Sequence, residues 1–408
     1  MRRRDFLAAS AAATAAVNTM TERFAWAADL PRDIKITRVT SFELKLTRPK
    51  HVGKNSYRHD HGPESADRVL RVHTNAGIDG FGTSWSGANE CAQLLGKSPL
   101  DFFDRDARKV TGPLARYTAP VWDLVGKILE KPVWQLLRNP SDPDVDAEVP
   151  VYDGSIYFTD LRPPHLQNWP DEFKRELDMS LARGHRAFKV KIGRGRLWML
   201  AEEGYQRDLE VVRLIRKHVG PDVLIGVDAN DGYDFARTRR FVQDTADLNI
   251  AFIEEMFTED VPKYLELKAF IRELGLNTLI ADGENKRLPA EMQSWVEARA
   301  VDILQGDMNL FGFEDILAEA AMARPHGAMI APHNWGSLFG FYLQLQVGRA
   351  IPNFYRAEED PLSCKAVGTD GYRMRDGRCR LPDAPGLGLT LNDAALPEVA
   401  CVHFDLKR

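Results

Sequence analysis

The stretch AFKVKIG, residues 187–193, decides how this chain is read. In a strand, side chains alternate faces, so Lys189 and Lys191 point one way while Phe188, Val190 and Ile192 point the other. If the apolar face packs on a core, two ammonium groups share one small space. Like charges held that close depress each other's pKa, one way to make a lysine a usable base near neutral pH. The alternative is a solvated edge of an antiparallel sheet, where lysines are common. The surroundings of the strand decide between the two.

After Pro150 short apolar stretches alternate with amphipathic helical ones such as DEFKRELDMSLARG and ARTRRFVQDTADLN. The expected strands are Val149 to Tyr152, Ala187 to Ile192, Leu224 to Asp228, Ala251 to Glu255, Thr278 to Asp282, Asp302 to Gln305, Met329 to Pro332 and Asn353 to Glu358. About eight strand-helix units point to an α/β fold with a parallel (β/α) barrel of TIM type, and a doubly wound sheet is the alternative. Upstream, ITRVTSFELKL, RVLRVHT and the turn Asn75-Ala76-Gly77 read as strands, and VWDLVGKILEKPVWQLL as helix. The expected layout is an α+β domain over 34–148, the barrel over 149–370, and a loop-rich segment over 371–408 that returns to the first domain.

The 408 residues, 44% hydrophobic and 28% charged, describe a folded globular protein and exclude a disordered chain. With a net charge of −5 and no long basic run past the N-terminus, nucleic acid and anionic membrane are poor partners. Small molecules suit better. Arg3-Arg4-Asp5-Phe6-Leu7, the alanine-rich run from Ala8 to Val17 and Ala25-Trp26-Ala27 occur in the order of a twin-arginine export signal over residues 1–27. That run is shorter than the ~20 residues a bilayer span needs. The expectation is a periplasmic protein with no membrane partner in its mature form, or a cytoplasmic one without that signal. Cys91, Cys364, Cys379 and Cys401 show no CxxC spacing, which suggests neither a zinc cluster nor a redox pair; a Cys364–Cys379 bridge and free thiols both stay open.

Active sites of such barrels lie at the carboxyl ends of the strands. There the chain carries Lys189 and Lys191, Asp228 with Asn230, Glu254 with Glu255, Asp282 with Glu284, Asp307, His333 with Asn334, and Glu358 with Glu359. One Asp after a strand is ordinarily a helix cap. Recurrence on seven successive units is more than capping explains. Asp228, Glu254 and Glu284 would end three adjacent strands at one locus, and three carboxylates that close stay ionised only around a cation. Hard oxygen ligands with open positions suit Mg²⁺. By alternation Glu255 should face away from Glu254, while Asp282 shares the face of Glu284 and is a rival ligand.

The ordered series KVK, VDAN, IEE, GEN, GD and PHN resembles the mandelate racemase group of the enolase superfamily, over nearly all of residues 34–395. The resemblance implies a barrel under an N-terminal capping domain and Mg²⁺ on Asp228, Glu254 and Glu284. It also implies removal of the proton α to a carboxylate through an enediolate. Lys191 would be the base and Lys189 the neighbour that lowers its pKa and contacts the substrate carboxylate. His333, oriented by Asp307, would act on the opposite face, and Glu358 would hydrogen-bond the substrate carboxylate, with Glu359 as the alternative after a one-residue slip. Dehydration of a sugar acid is the leading expectation. Racemisation or epimerisation, cycloisomerisation, and a non-catalytic barrel that binds an anionic ligand are the alternatives. Asn230, with His51, Lys54 and Arg58 of the polar loop HVGKNSYRHDHG, and Trp85 are the expected substrate contacts. His59 and His61 of that loop stay open between substrate, metal and solvent. A homo-oligomer is expected. Between Lys191 and Asp228 the stretch GRGRLWMLAEEGYQRD makes this unit longer than usual for the group, which can reshape the rim of the site.

Overall fold

Lys191 pairs in register with Asp228, and Asp228 with Glu254, so three of the expected site residues stand side by side on adjacent parallel strands. The computed structural model describes residues 33–163 and 165–408; the export-signal reading of residues 1–27 lies outside the described residues. The parallel strands Glu148–Ile156, Ala187–Lys191, Leu224–Asp228, Ile250–Glu254, Leu279–Asp282, Ile303–Leu304 and Met329–Ile330 neighbour one another in chain order. The eighth, Ala357–Glu359, pairs back onto the first, and a parallel bridge between Ile330 and Phe354 joins the seventh to the eighth segment. The result is a ring, not the open sheet of the doubly wound alternative.

The two faces of the second strand explain its sequence. Phe188 and Val190 are fully buried with Phe173, Leu177, Tyr205 and Leu209 of the surrounding helices Trp169–Ala182 and Ala201–Val219. Lys189 and Lys191 point inward and are only 1% and 3% exposed, so the solvated-edge reading fails. Beneath them the barrel is filled by Phe252, Ala281, Ile303 and Ala331, with the rings of Tyr152 and Tyr355 centred 5.8 and 6.1 Å from that of Phe252. Gly226 makes room for this layer, because a Cβ there would run into the Phe252 ring.

Over the barrel sits a four-stranded antiparallel sheet in the order Ala400–Lys407, Ile36–Val52, Gly62–Thr74, Asp79–Thr83. The expected long helix is broken into Ala119–Ile128 and Val133–Leu137, because Pro132 disfavours the α conformation of the residue before it. The C-terminal segment divides: Arg378–Arg380 pairs with the start of the first barrel strand, and Ala400–Lys407 with the capping sheet. From strand Ile36–Val52, Lys50 reaches Glu176 at 2.8 Å and Arg48 grips Asp360 with two hydrogen bonds of 2.7 and 2.6 Å, all four side chains buried. Buried ion pairs of this kind fix orientation more than they add stability. All four cysteines are free thiols.

Helix Met308–Ala323 carries a fully buried carboxyl, Glu319. Its Oε1 accepts the Gly306 N–H at 3.1 Å, and its Oε2 has no hydrogen-bond partner among the described residues. Burial pushes this carboxyl up to about 8. In the unfolded chain a glutamate titrates at about 4.3, so between the two values the native state holds a proton that the unfolded state has lost, and stability falls as pH rises. Glu319→Gln keeps an acceptor for Gly306 and removes the titration. The expected result is that the variant gains on the wild type from pH 5 to pH 8 in urea unfolding; a gap that does not change with pH refutes the assignment.

Candidate active site

The inward side chains at the strand ends form one buried charge network. Lys189 Nζ lies 2.5 Å from Glu254 Oε1, 2.9 Å from Glu358 Oε1 and 3.4 Å from Asp228 Oδ2. Lys191 Nζ donates to Asp228 Oδ2. On the other side His333 Nδ1 is 2.6 Å from Asp307 Oδ2, and His333 Nε2 is 3.4 Å from Glu284 Oε2. Asp307 serves both readings of such a residue: its Oδ1 caps helix Met308–Ala323, accepting from the Asn309 and Leu310 amides at 2.8 and 2.9 Å, while its Oδ2 holds the imidazole. Glu358 Oε2 accepts the Asn334 amide at 3.0 Å, which locks the His333 loop to the eighth strand. Glu359 is turned outward onto His185 at 2.6 Å and Arg183, so Glu358, not its neighbour, enters the site.

The carboxylates depart from the expected set in one respect. Asp228, Glu255 and Glu284 each place an oxygen within 4.8 Å of the others, and Glu255, not Glu254, completes this cluster. Alternation would send Glu255 outward, but its φ of 43° takes it out of the strand and swings the side chain back inward. Asn230 Nδ2 and Asn285 Nδ2 hold it at 2.9 and 2.6 Å. Glu254 is occupied by Lys189 and by Gln305 Nε2 at 2.5 Å, and it shares a hydrogen bond with Asp228. Asp282 is not a rival ligand: it accepts the Tyr264 hydroxyl at 2.6 Å, because Gly283, at φ 126°, breaks the two-residue period between it and Glu284.

The electrostatics follow from this crowding. Burial, then the charges of Glu284, Asp228 and Asp282, hold Glu255 well above the usual carboxylate range. Burial raises Glu254 likewise, against the pull of Lys189. Burial disfavours the charged form of Asp228, but Lys191 and Lys189 outweigh it and leave this carboxylate below its ordinary value. The expectation that Lys189 depresses Lys191 is therefore corrected for the site without a cation: burial lowers Lys191, yet the Asp228 carboxylate against it prevails and the net shift is upward. His333 is pushed up to about 9, burial being outweighed by Glu284 and the hydrogen bond to Asp307. Mg²⁺ fits this donor set. It accepts several carboxylate oxygens at once, Glu284 Oε2 is buried without a hydrogen bond among the described residues, and added positive charge would relieve both raised carboxyls.

The capping loop closes over the network but spends most of its expected contacts on itself. His51 Nε2 and Lys54 Nζ turn to Asp60, at 3.5 and 3.0 Å, and the Arg58 guanidinium lies 5.3 Å from the centre of the Tyr57 ring. Trp85 is 56% exposed, with Arg68 over its ring. Asn230 is buried beside Asp228, whose Oδ1 accepts its amide at 2.8 Å. The long unit after Lys191 docks this loop: Trp198 Nε1 donates to Asn55 O at 2.6 Å, and Arg196 and Ser56 converge on the Asn230 carbonyl at 2.6 and 2.9 Å. Gln305, Tyr157 and Trp335 join the site without having been singled out. Gln305 ends an expected strand, the one signal that could have found it.

A family model described as "Enolase C-terminal domain-like" matches residues 172–395, more than half of the chain. The chain belongs to that family. The curated arabinonate dehydratase of Saccharolobus solfataricus is 29% identical over 285 residues, 69% of this chain and 70% of that protein. D-galactarolactone cycloisomerase of Agrobacterium fabrum is 30% identical over 235 residues, 53% of this chain and 57% of that one. Among solved structures, a galacturonate dehydratase variant from Geobacillus sp., crystallised with Mg, superposes with a TM-score of 0.84 at 28% identity and covers 93% of this chain and 99% of that one. The resemblance to the mandelate racemase group of the enolase superfamily stands, and with it the TIM-type barrel under an N-terminal cap.

Proposed function

We propose that this enzyme dehydrates a sugar acid with the help of Mg²⁺ held by Asp228, Glu284 and a carboxylate of the Glu254–Glu255 pair. The observation that carries the reading is the placement of two bases at opposite ends of one acidic cluster, Lys191 against Asp228 and His333 against Glu284. When bound, the cation supplies positive charge for a substrate carboxylate as its α-proton leaves. Lys191 takes that proton. His333, as imidazolium steadied by Asp307, gives a proton to the β-hydroxyl, which leaves as water. The resulting enol takes a proton at the neighbouring carbon and becomes the 2-keto-3-deoxy acid, with no change in overall oxidation state. Lys189 and the Asn334-held Glu358 are placed to orient the substrate carboxylate. Relatives named as dehydratases of sugar acids support the substrate class.

The experiment is incubation with Mg²⁺ in deuterated water and a panel of sugar acids. Deuterium entering the α-position, or a 2-keto-3-deoxy product, is expected from at least one acid, and both cease when EDTA removes the metal. An inverted stereocentre without loss of water would make the protein a racemase. Silence from the whole panel in the metal-loaded enzyme would favour the binding barrel.

A further inference from the structure

We infer that His61 is a specificity-determining residue, a neutral imidazole whose Nε2–H donates a hydrogen bond to a substrate hydroxyl beyond the α-carbon. The inference rests on the proposed sugar-acid chemistry and extends it to a residue of the capping loop.

The indole Nε1–H of Trp335 donates to His61 Nδ1 at 3.0 Å. An indole nitrogen can only donate, so Nδ1 must accept, and the ring proton of a neutral His61 sits on Nε2. That Nε2 is buried and has no hydrogen-bond partner among the described residues. A buried N–H without a partner costs about 1–3 kcal/mol, a cost that a substrate hydroxyl accepting from it would recover.

The ring cannot turn to find another partner. His61 packs edge-on against Tyr157 and Trp335, with centroids 5.0 and 5.3 Å away, and Trp335 is stacked on Tyr157 at 4.6 Å. Arg48 covers the same indole at 4.9 Å while it grips Asp360, and Asp360 in turn accepts the Gly336 amide at 3.0 Å. Trp335 is therefore held by the cap and by the eighth-strand loop together. The Lys191 ammonium also faces the Tyr157 ring, 5.2 Å from its centre, which sets His61 beside the base. Burial, and then the charges of Lys191, Arg48 and Arg58, bring His61 down to about 4, so it stays neutral where the enzyme works. A neutral N–H suits a hydroxyl; a second carboxylate would call for a cation.

The test compares wild type with His61→Phe, His61→Gln and His61→Asn, all Mg²⁺-loaded, on the acid that exchanges its α-proton and on its analogues lacking one distal hydroxyl each. Phenylalanine keeps the packing and loses the donor. Its kcat/KM on the full acid should fall about 10–100-fold, with little loss on one deoxy analogue that wild type already disfavours by a similar factor. Glutamine sets an amide N–H where Nε2 stands and should keep the discrimination; asparagine sets it where Nδ1 stands and should lose it. This contrast decides the matter if the Phe variant does not fold. Equal losses of the Phe variant on every analogue, or no loss on any, would overturn the assignment alone, whereas a wild type silent on every acid would overturn the dehydratase reading with it.

Discussion

Lys191→Met and His333→Asn each lower turnover of the accepted acid by at least about a thousand-fold, the scale expected when a positioned proton-transfer group is lost. Neither side chain is among the carboxylates proposed to hold the cation, so both variants should still bind Mg²⁺. The two losses differ in kind. In the proposed reaction Lys191 removes the α-proton, so the methionine variant should neither exchange that proton with deuterated water nor form product. In the same proposal His333 acts after it, on the leaving hydroxyl, so the asparagine variant should still exchange while forming no 2-keto-3-deoxy acid. Single-turnover measurement of exchange and product on both variants separates the roles. Exchange surviving in the lysine variant and lost in the histidine variant would invert the assignment, and unimpaired product in both would remove the proposed bases altogether.

What could be read beforehand was whatever a regular period controls. Lys189, Lys191 and Asp228 stand where alternation within a strand puts them, and the apolar set of the second strand faces the helices as its sequence requires. Reading failed where the backbone leaves the strand. Glu255 at φ 43° and Gly283 at φ 126° break the two-residue period one step past the strand end, so Glu255 turns in and Asp282 stays out. Nothing in the spacing of residues announces a left-handed glutamate. The capping loop failed for a different reason. His51 and Lys54 looked free to reach a ligand, but Asp60 lies in the same loop, accepts from Lys54 at 3.0 Å and stands 3.5 Å from His51 Nε2. Tyr157 and Trp335 matter through ring contacts between segments far apart in the chain, which no local pattern encodes.

Arg194 is the largest fully buried charged side chain among the described residues, and Arg194→Met should destabilise the fold by about 3–5 kcal/mol, the cost of stranding a buried partner charge. The guanidinium is fully buried between two fully buried carboxylates: Nη2 donates to Asp160 at 2.7 Å and Nη1 to Asp208 at 2.6 Å, over the Phe158 ring at 4.2 Å. Asp208 also accepts the Gly193 amide and the Tyr233 hydroxyl at 2.8 and 2.9 Å. One side chain thus ties the end of the first barrel strand to helix Ala201–Val219 through the turn that follows Lys191. Methionine fills most of the volume but leaves Asp208 without a counter-ion and Asp160 with only Arg207, whose Nη1 lies 3.3 Å from its Oδ2. Lysine restores one charge and cannot fork between both acids, so Arg194→Lys should fall between wild type and methionine. Adding Asp160→Asn and Asp208→Asn to the methionine variant removes the stranded charge and should recover part of the loss. Urea unfolding of the four proteins measures this; a methionine variant as stable as wild type would mean that the ion triad contributes nothing net. Because Arg194 also approaches the Lys191 carbonyl at 3.4 Å, the lysine variant should lose kcat while the acidic cluster keeps its affinity for Mg²⁺.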